Sequence, residues 1–365
     1  MNARTKKIIK WVLIVTGAII VLLAATVSIY FALLYNSIYE PIPYVSRDGS
    51  YIMPEFPESD IELIDDESDY YEDDSEDDIS YDDTSEGSTV SKGGSGGSLR
   101  PPKETPIYIV EPIDENILNI LLVGFDVYEP YYGRSDSMML LSYNKKTGEI
   151  TLTSFLRDIL VPIEGHGWNR LNSACRFGSV GLTINTINEV FQLDIQHYVS
   201  VDFTGFPKLI DSMGGVTVSI TKEEATYVNN NYSWGVSAGN VKLNGEKALK
   251  FARIRHLSGG DFNRTERQRR ILTAVINEMF SRKNPSESVS LVNQGLKNVK
   301  TNLSAGTIVS LVYDFMSKDY TGIDAGSVPS DKSTYSLARY NGMSIIKLNF
   351  DKNVVILHER IYGKE

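Results

Sequence analysis

The chain has 365 residues, which allows one large domain or two small ones, and its formal net charge at pH 7 is −11. That charge is uneven, because residues 55–86 hold 17 acidic residues and no basic one. From Pro106 onward, 28 basic residues face 27 acidic ones, a net charge of +1, which argues against general nucleic-acid binding. Cys175 is the single cysteine and therefore excludes an intramolecular disulfide and a cysteine-based metal site.

An uncharged run of 25 residues, Trp11 to Tyr35, follows a basic amino terminus. As a helix it would span roughly 37 Å, more than the bilayer core of about 30 Å. We predict a cytoplasmic amino terminus (1–10) and a single transmembrane helix (11–35) that acts as an uncleaved signal-anchor in the cell membrane. Because basic flanks stay in the cytoplasm, the rest of the chain is expected outside the cell. A cleaved signal peptide is the alternative, although its apolar region is usually shorter.

Residues 36–106 have the composition of a linker. They contain the acidic block and then the Gly/Ser-rich run 92–98, followed by two prolines. Such a composition cannot bury a core, so the segment is predicted to be a disordered extracellular linker. A solvated spacer is the favoured role, and a calcium or partner site is the alternative.

The remaining residues, 107–365, are predicted to form one extracellular catalytic domain. A nearly continuous apolar run, 119–125, suits a buried strand, and a hairpin is expected over residues 138–155. Strands are also expected at 216–220, 344–348 and 354–357, and helices at 182–191, 203–213, 286–299 and 305–316. This mixture predicts an α/β fold with a mixed, partly antiparallel central sheet flanked by helices.

Charged residues lie next to the ends of the first three predicted strands: Asp126 and Arg157 follow a strand, and Asp136 precedes one. Asp126 ends the apolar strand, and if Met138 opposes Phe155 in the hairpin, Asp136 faces Arg157 just beyond the strand ends. These three groups should then meet at one edge of the sheet, where open α/β sheets usually bind ligands. The alternative for each aspartate is a loop-capping role, which is common at strand ends.

A second concentration of charge lies between Leu243 and Arg270. Its arginines are Arg253, Arg255, Arg264, Arg267, Arg269 and Arg270. A helix after Gly259 and Gly260 would bury Ile271, Leu272, Val275 and Met279, and the same face continues to Arg264 and Gln268. An inward arginine near a helix amino terminus needs an anion. Either a buried carboxylate or a ligand phosphate could supply it, and a purely structural salt-bridge network remains an alternative.

Aspartates at a sheet edge and inward arginines suit one chemistry in particular. Carboxylates hold magnesium, which bridges phosphate oxygens, and guanidinium groups neutralise a diphosphate. Phosphoryl transfer needs no protein nucleophile, since it depends on positioning and electrostatics. The chain has no GxxxxGK[ST] loop, so an ATP-driven reaction is not expected.

These residues resemble the LytR-CpsA-Psr family over roughly residues 117–304. The matching motifs are the strand ending in Asp126, Arg134-Ser135-Asp136, Ser154-Phe-Leu-Arg157-Asp158, Arg170-Leu171-Asn172, Asp211-Ser-Met-Gly214-Gly215-Val216, Arg253-x-Arg255 and Asp261-Phe-x-Arg264-Thr-x-Arg267-Gln268. The uncharged run before them also fits the family. One departure is Leu156, which stands where the family usually has proline, so the backbone before Arg157 is less restricted.

The resemblance implies a magnesium-dependent phosphotransferase. Such enzymes move a glycopolymer, a teichoic acid or a capsular polysaccharide, from undecaprenyl pyrophosphate to peptidoglycan. Asp126 and Asp136 would then hold Mg²⁺, and the pyrophosphate would be bound by Arg157, Arg253, Arg255, Arg264 and Gln268. The implied catalytic residues are Asp136, Arg157, Arg255 and Asp261. Asp261 would orient arginines, contact the metal or activate the acceptor hydroxyl.

Two other functions fit the same residues. Water could replace the sugar hydroxyl, which would make the protein a lipid-pyrophosphate hydrolase. Alternatively, the protein would bind the polyprenyl-pyrophosphate-linked glycan without turnover, as a non-catalytic envelope regulator. Val190, Phe191 and Leu209 are candidates for lining an apolar tunnel for the polyprenyl tail, again by resemblance.

Overall fold

The structure, a computed structural model, describes residues 32–47, 51–64, 70, 104–125, 135–257, 259–281, 297–318 and 322–363. In chain order, its strands and α-helices are β1 (Tyr44–Val45), β2 (Ile61–Leu63), β3 (Ile107–Tyr108), β4 (Ile117–Phe125), β5 (Ser135–Asn144), β6 (Ile150–Phe155), β7 (Leu160–Ile163), β8 (Gly167–Arg170), α1 (Ser173–Phe191), β9 (His197–Asp202), α2 (Gly205–Ser212), β10 (Val216–Ile220), α3 (Lys222–Tyr232), β11 (Gly239–Leu243), α4 (Gly245–Ala252), α5 (Gly260–Ser281), β12 (Lys300–Thr301), α6 (Ala305–Ser317), β13 (Ile323–Val328), β14 (Tyr335–Tyr340), β15 (Met343–Leu348) and α7 (Phe350–Tyr362).

The centre of the molecule is a six-stranded mixed sheet in the order β12-β9-β4-β5-β6-β13. Strand β4 runs parallel to β9 and antiparallel to β5, and β6 runs parallel to β13. Met138 pairs with Phe155, as the hairpin register predicted. The predicted mixed α/β sheet is therefore confirmed.

Helices cover both faces of this sheet. Successive side chains of a strand point to opposite faces, so the apolar strands have two faces to bury. Leu140 packs in the core shared with α1 and α7. Its neighbour Leu141 packs on the other face, against residues of α5 and α6. The apolar positions of β5 thus serve two cores, which is why this strand reads as a continuous apolar run.

A second core lies beside the sheet and holds the arginine-rich segment in place. It joins α2, α4, the antiparallel pair β10–β11 and part of α5, and Phe251 and Ile271 are among its most deeply buried residues. The α4 helix begins after Asn244, whose side chain accepts a hydrogen bond from Lys247 N at 2.9 Å. Ile271 and Val275 are buried as the helical spacing predicted, with Leu272 and Met279 packed against the same core.

The predicted linker, 36–106, is wrong for the parts of it that the structure describes. Strand β1 pairs with β3, and β2 pairs with β14. Ile38 and Ile42 are buried, and Tyr70, from within the acidic block, lies in the main core. Composition failed here because short apolar segments inside a polar stretch find their partners far along the chain.

Two further predictions have different outcomes. The strand predicted at 354–357 is wrong, because these residues lie within α7, which buries Asn353, Leu357 and Ile361 at helical spacing. Most of the helix predicted at 286–299 lies outside the described residues.

The predicted transmembrane span, 11–35, also lies outside the described residues except for its last four. Within the described part of the chain, no helix is both long and apolar enough to cross a bilayer.

Candidate active site

The site begins with an ion pair that the hairpin register dictates. Asp136 is the second residue of β5, and Arg157 follows the end of β6 by two positions. The Arg157 Nη1 donates to Asp136 Oδ1 at 3.3 Å. Arg255, from the segment after α4, reaches the other oxygen of Asp136, with its Nη2 at 3.7 Å from Oδ2. Residues far apart in sequence therefore converge on one carboxylate.

Asp158 and Arg170 extend this cluster into the protein interior. Asp158 Oδ2 lies 3.4 Å from Arg157 Nε, and its Oδ1 accepts a hydrogen bond from Arg170 Nη1 at 3.3 Å. Arg170 arrives there because the β7–β8 hairpin folds back and pairs it with Leu160. Neither residue was assigned a role from the sequence. Their signal was available in the Arg157-Asp158 and Arg170-Leu171-Asn172 motifs, but the fold was needed to pair them.

The third part of the cluster lies at the amino terminus of α5. Gly259 and Gly260 both have positive φ, 77° and 42°, so the chain reverses here in a conformation that suits glycine. This turn brings Asp261 beside Arg157, with Oδ1 at 3.4 Å from its Nε. Arg264, one helical turn later, places Nη2 at 2.6 Å from the same oxygen.

Asp261 is held as a carboxylate by this arrangement. Its burial would raise the pKa, but the positive charges of Arg264, Arg157, Arg255 and Arg170 outweigh that effect and hold the pKa below the usual value. A carboxyl group with a lowered pKa is a weak proton acceptor. Of the three roles considered for Asp261, orientation of the arginines therefore suits its environment best.

The cluster still has unused hydrogen-bonding capacity. Arg264 is only 2% exposed, and its Nε and Nη1 have no hydrogen-bond partner among the described residues. The cluster, Arg264 included, consists of four arginines and three aspartates and therefore has a net charge of +1. Because buried donors are costly to leave unpaired, this guanidinium is suited to receive an anionic ligand.

The other predicted site residues have different positions. Gln268 follows Arg264 by one turn of α5, and its Oε1 is buried without a hydrogen-bond partner in the described structure. Arg253 is exposed, and its guanidinium lies over the ring of Phe203, 4.8 Å from the centroid. Among the described residues it forms no ion pair with the cluster. Asp126 lies outside the described residues.

A separate group of charges explains why two arginines of the same stretch do not join the site. Arg267 donates from Nη2 to the carbonyl of Ile254, next to Arg255, and its Nη1 lies 3.6 Å from Glu224 Oε1. Arg270 also pairs with Glu224. Glu224 in turn caps α3 by accepting from Thr221 N at 2.9 Å. These contacts tie α5, α3 and the Arg255 segment together.

The aspartates of the cluster are the candidate metal ligands among the described residues. No group of three or more His, Cys, Asp or Glu residues able to hold a metal is present in the described ranges, which omit Asp126. Asp136 is the most accessible of the three aspartates, its side chain being 17% exposed. Its hard oxygen atoms fit Mg²⁺, although a bound ion would share this carboxylate with Arg157 and Arg255.

A family model, that of the LytR_cpsA_psr family, matches residues 86–355 of this sequence. The chain belongs to this family. Among its relatives is the polyisoprenyl-teichoic acid–peptidoglycan teichoic acid transferase TagU of Oceanobacillus iheyensis, 34% identical over 209 residues. That alignment covers 55% of this chain and 64% of TagU, less than two thirds of the relative's length.

Two further comparisons define the extent of the likeness. The biofilm regulatory protein A of Streptococcus mutans is 30% identical over 289 residues, covering 68% of this chain and 70% of that protein. The structure of the LytR-CPS2A-psr family protein YwtF (TagT) with bound octaprenyl pyrophosphate lipid matches with a TM-score of 0.54 and 23% identity, covering 69% of this chain and 94% of that one. This likeness shows the fold alone, and in this chain the arginine cluster lies at the start of β5 and just beyond the end of β6.

Proposed function

We propose that this protein transfers an undecaprenyl-pyrophosphate-linked glycopolymer, a teichoic acid or other wall polysaccharide, to peptidoglycan. The observation that carries the proposal is the buried Arg264 guanidinium with unused donors, beside Arg157 and Arg255. A diphosphate presents several anionic oxygens, so it can accept from several guanidinium groups at once. The names of relatives such as TagU, and the lipid held by TagT, support the same class of substrate.

In the proposed reaction, an acceptor hydroxyl of peptidoglycan attacks the phosphorus atom that carries the glycan. The bond from that phosphorus to the oxygen of the lipid phosphate breaks, the proton of the hydroxyl passes to solvent, and polyprenyl phosphate leaves. Arg157, Arg255 and Arg264 would neutralise the charge that grows on the leaving phosphate, which is the main contribution required of the protein. Asp261 and Asp158 would hold the guanidinium groups in position, since both are buried between arginines.

Magnesium is part of this proposal. Asp136 would hold the ion together with Asp126, which follows the β4 strand in sequence. When bound, Mg²⁺ would draw charge from the phosphate oxygens. An Asp136→Asn variant should bind Mn²⁺, used as a spectroscopic substitute for Mg²⁺, more weakly than the parent in a paramagnetic resonance titration. Equal affinity of the parent and the variant for Mn²⁺ would show that Asp136 is not a metal ligand.

The experiment that tests the function uses the full chain in vesicles with a polyprenyl-pyrophosphate-linked glycan, peptidoglycan and Mg²⁺. Arg255→Ala should lower the rate of glycan attachment about thirtyfold or more, the effect of losing roughly 2 kcal/mol at a desolvated phosphate site. Arg360→Ala is the matched control, because it removes a guanidinium that pairs with Asp324, level with the start of β6 and away from the cluster.

Product analysis distinguishes the alternatives in the same experiment. Wall-linked glycan supports the transferase, whereas free glycan phosphate would indicate a hydrolase. Tight binding of the lipid without either product would indicate a non-catalytic protein. If Arg255→Ala transfers as fast as the parent, the assigned site is wrong.

The location of the domain is proposed on the sequence alone. Residues 11–35 would anchor the chain once in the cell membrane, with the amino terminus in the cytoplasm and the domain outside. Protease added to intact, wall-stripped cells should then degrade a carboxyl-terminal epitope tag. Complete protection of the tag would place the domain on the cytoplasmic side and contradict the proposal.

A further inference from the structure

Helix α6 presents apolar side chains to its surroundings. Residues 305–313 contain no charged residue, and Ser304 caps the helix by accepting from Thr307 N at 3.0 Å. Leu311 packs against the core that contains Tyr143 and Ile276. Val309 and Tyr313, one turn apart, are 65% and 69% exposed. An ordinary surface helix carries polar residues on its outward face, so this composition indicates an interaction surface.

The same helix begins beside the point where the predicted transmembrane span ends. Tyr35, the last residue of that span, donates its hydroxyl to the Leu303 carbonyl at 3.3 Å. Glu40 N donates to the carbonyl of Thr301 at 2.8 Å, and Lys300 Nζ donates to the carbonyl of Ser37 at 3.1 Å. The folded domain therefore already contacts the chain where the uncharged run stops, only two residues before α6.

Leu33, two residues before Tyr35, belongs to the uncharged run and is 66% exposed. The charges near the surface are mixed, because two lysines precede α6 and Glu40 lies beside Thr301. From Lys297 to Tyr313 the sequence has two lysines and no acidic residue. The next acidic residue, Asp314, is paired with Lys318 at 3.1 Å and accepts from Tyr143 at 3.0 Å. It is therefore the exposed apolar side chains, and their position beside the end of the uncharged run, that favour a bilayer contact.

We propose that α6 and Leu33 together rest on the lipid bilayer that the amino-terminal anchor enters. This inference depends on the anchor described under the proposed function. Val309 and Tyr313 enter the boundary between headgroups and acyl chains, about 5–10 Å deep. The contact fixes the orientation of the domain, which a single transmembrane helix alone would leave free to rotate.

The orientation has a consequence for the site. Asp314 of α6 contacts Tyr143, which pairs with Leu118 near the start of β4. The arginine cluster lies beyond Phe125 at the other end of this strand, roughly 23 Å away at 3.3 Å per residue. The membrane contact and the reacting groups are thus at opposite ends of the sheet.

The test measures the depth of a fluorescent label in the full chain, reconstituted in vesicles of phosphatidylethanolamine and phosphatidylglycerol. Val309→Cys is labelled with an environment-sensitive dye, and Val355→Cys on α7 is the matched control because Val355 is 57% exposed. Native Cys175 is fully buried and should not react in the folded protein. Tyr313→Cys is a second probe of the same surface.

We expect lipid-attached spin labels to quench the dye at position 309 at least about twofold more than the dye at position 355, because only the former enters the interface. Equal quenching at 309, 313 and 355 in vesicle-bound protein would overturn the inference and leave the anchor intact. A blue-shifted but unquenched dye at 309 would indicate a protein partner and would also overturn it. Release of the chain from the vesicles by an alkaline wash would contradict both the anchor and this inference. It would leave the assignment of the arginine site unaffected.

Discussion

Arg264 and Arg267 lie three residues apart on α5 and are both almost fully buried, yet their surroundings differ. Arg267 is bound by the Ile254 carbonyl and by Glu224, which also caps a helix. Arg264 faces one oxygen of Asp261, and its Nε and Nη1 have no hydrogen-bond partner in the described structure, whereas Arg267 has only its Nε without one. Burial of an arginine therefore does not indicate its role. A scaffold arginine differs from a ligand-binding one in how many of its donors are used within the protein.

The largest effect is expected on stability, when Arg267 is removed. Arg267→Ala leaves Glu224 with one arginine fewer and the Ile254 carbonyl without its donor, so we expect a loss of about 3 kcal/mol in the free energy of unfolding. Urea denaturation measures this loss. Arg264→Ala should be destabilised less, and the reverse order would contradict the division between the two arginines.

The next effect concerns activity. Arg264→Ala should lower the rate of glycan transfer about 100-fold, as expected when one buried donor to a developing oxyanion is removed. The assay is attachment of labelled glycan to peptidoglycan by vesicle-bound protein. The circular dichroism spectrum of the variant should match that of the parent. A rate within threefold of the parent would place Arg264 in the scaffold.

Acid stability provides a third, smaller contrast. The pKa of Asp261 is lowered in the folded protein, so its contribution to stability is complete above the pKa of the unfolded chain and is lost as the pH falls through the folded-state pKa. Below pH about 4, the parent should therefore lose stability more steeply than Asp261→Asn. Glu224 also has a lowered pKa, because Arg270 and Arg267 outweigh the effect of its burial, and remains in both proteins. Parallel pH profiles of the two proteins, measured by urea denaturation, would contradict the ionised state of Asp261.

The smallest effect tests how the strand positions Arg157. Leu156, found where the family usually has proline, donates its backbone N–H to the Val328 carbonyl at 3.1 Å. Leu156 is also 1% exposed in the main core, so both variants lose buried side-chain packing, and the missing N–H group should make Leu156→Pro about 1 kcal/mol less stable than Leu156→Ala. Thermal denaturation measures it, with Leu156→Ala as the control that keeps the N–H group. Equal stability of Leu156→Pro and Leu156→Ala would show that the hydrogen bond to Val328 contributes nothing.

Local patterns predicted part of this molecule well. The hairpin register followed from two apolar strands and a turn, and it placed Asp136 opposite Arg157. The helical spacing after Gly260 predicted that Arg264 points inward, whereas Arg269 turns away to Ser154 and Gly326. Both depend on neighbours within a few residues, which a sequence displays directly.

Longer-range features were not predictable in the same way. The apolar run within α7 has no period that distinguishes a short strand from a helix, although Asn349 supplied a capping signal by accepting from Lys352 N. The role of Arg170 depends on a hairpin that returns it to Asp158. Strand β13 reads as half-polar, and its pairing with β6 involves residues more than 150 positions apart.

The residues on both sides of the acidic stretch bind to the same folded domain. Ile64, before it, donates its N–H to the Leu337 carbonyl at 2.9 Å, and Thr105, after it, donates to the Gly178 carbonyl at 3.2 Å. Since Tyr35 already contacts the same domain, the acidic stretch departs from and returns to one body. If residues 11–35 anchor the chain as proposed, the length of this stretch cannot set the height of the reacting groups above the membrane, and shortening it would change the electrostatic surroundings of the domain without lowering it toward the lipid.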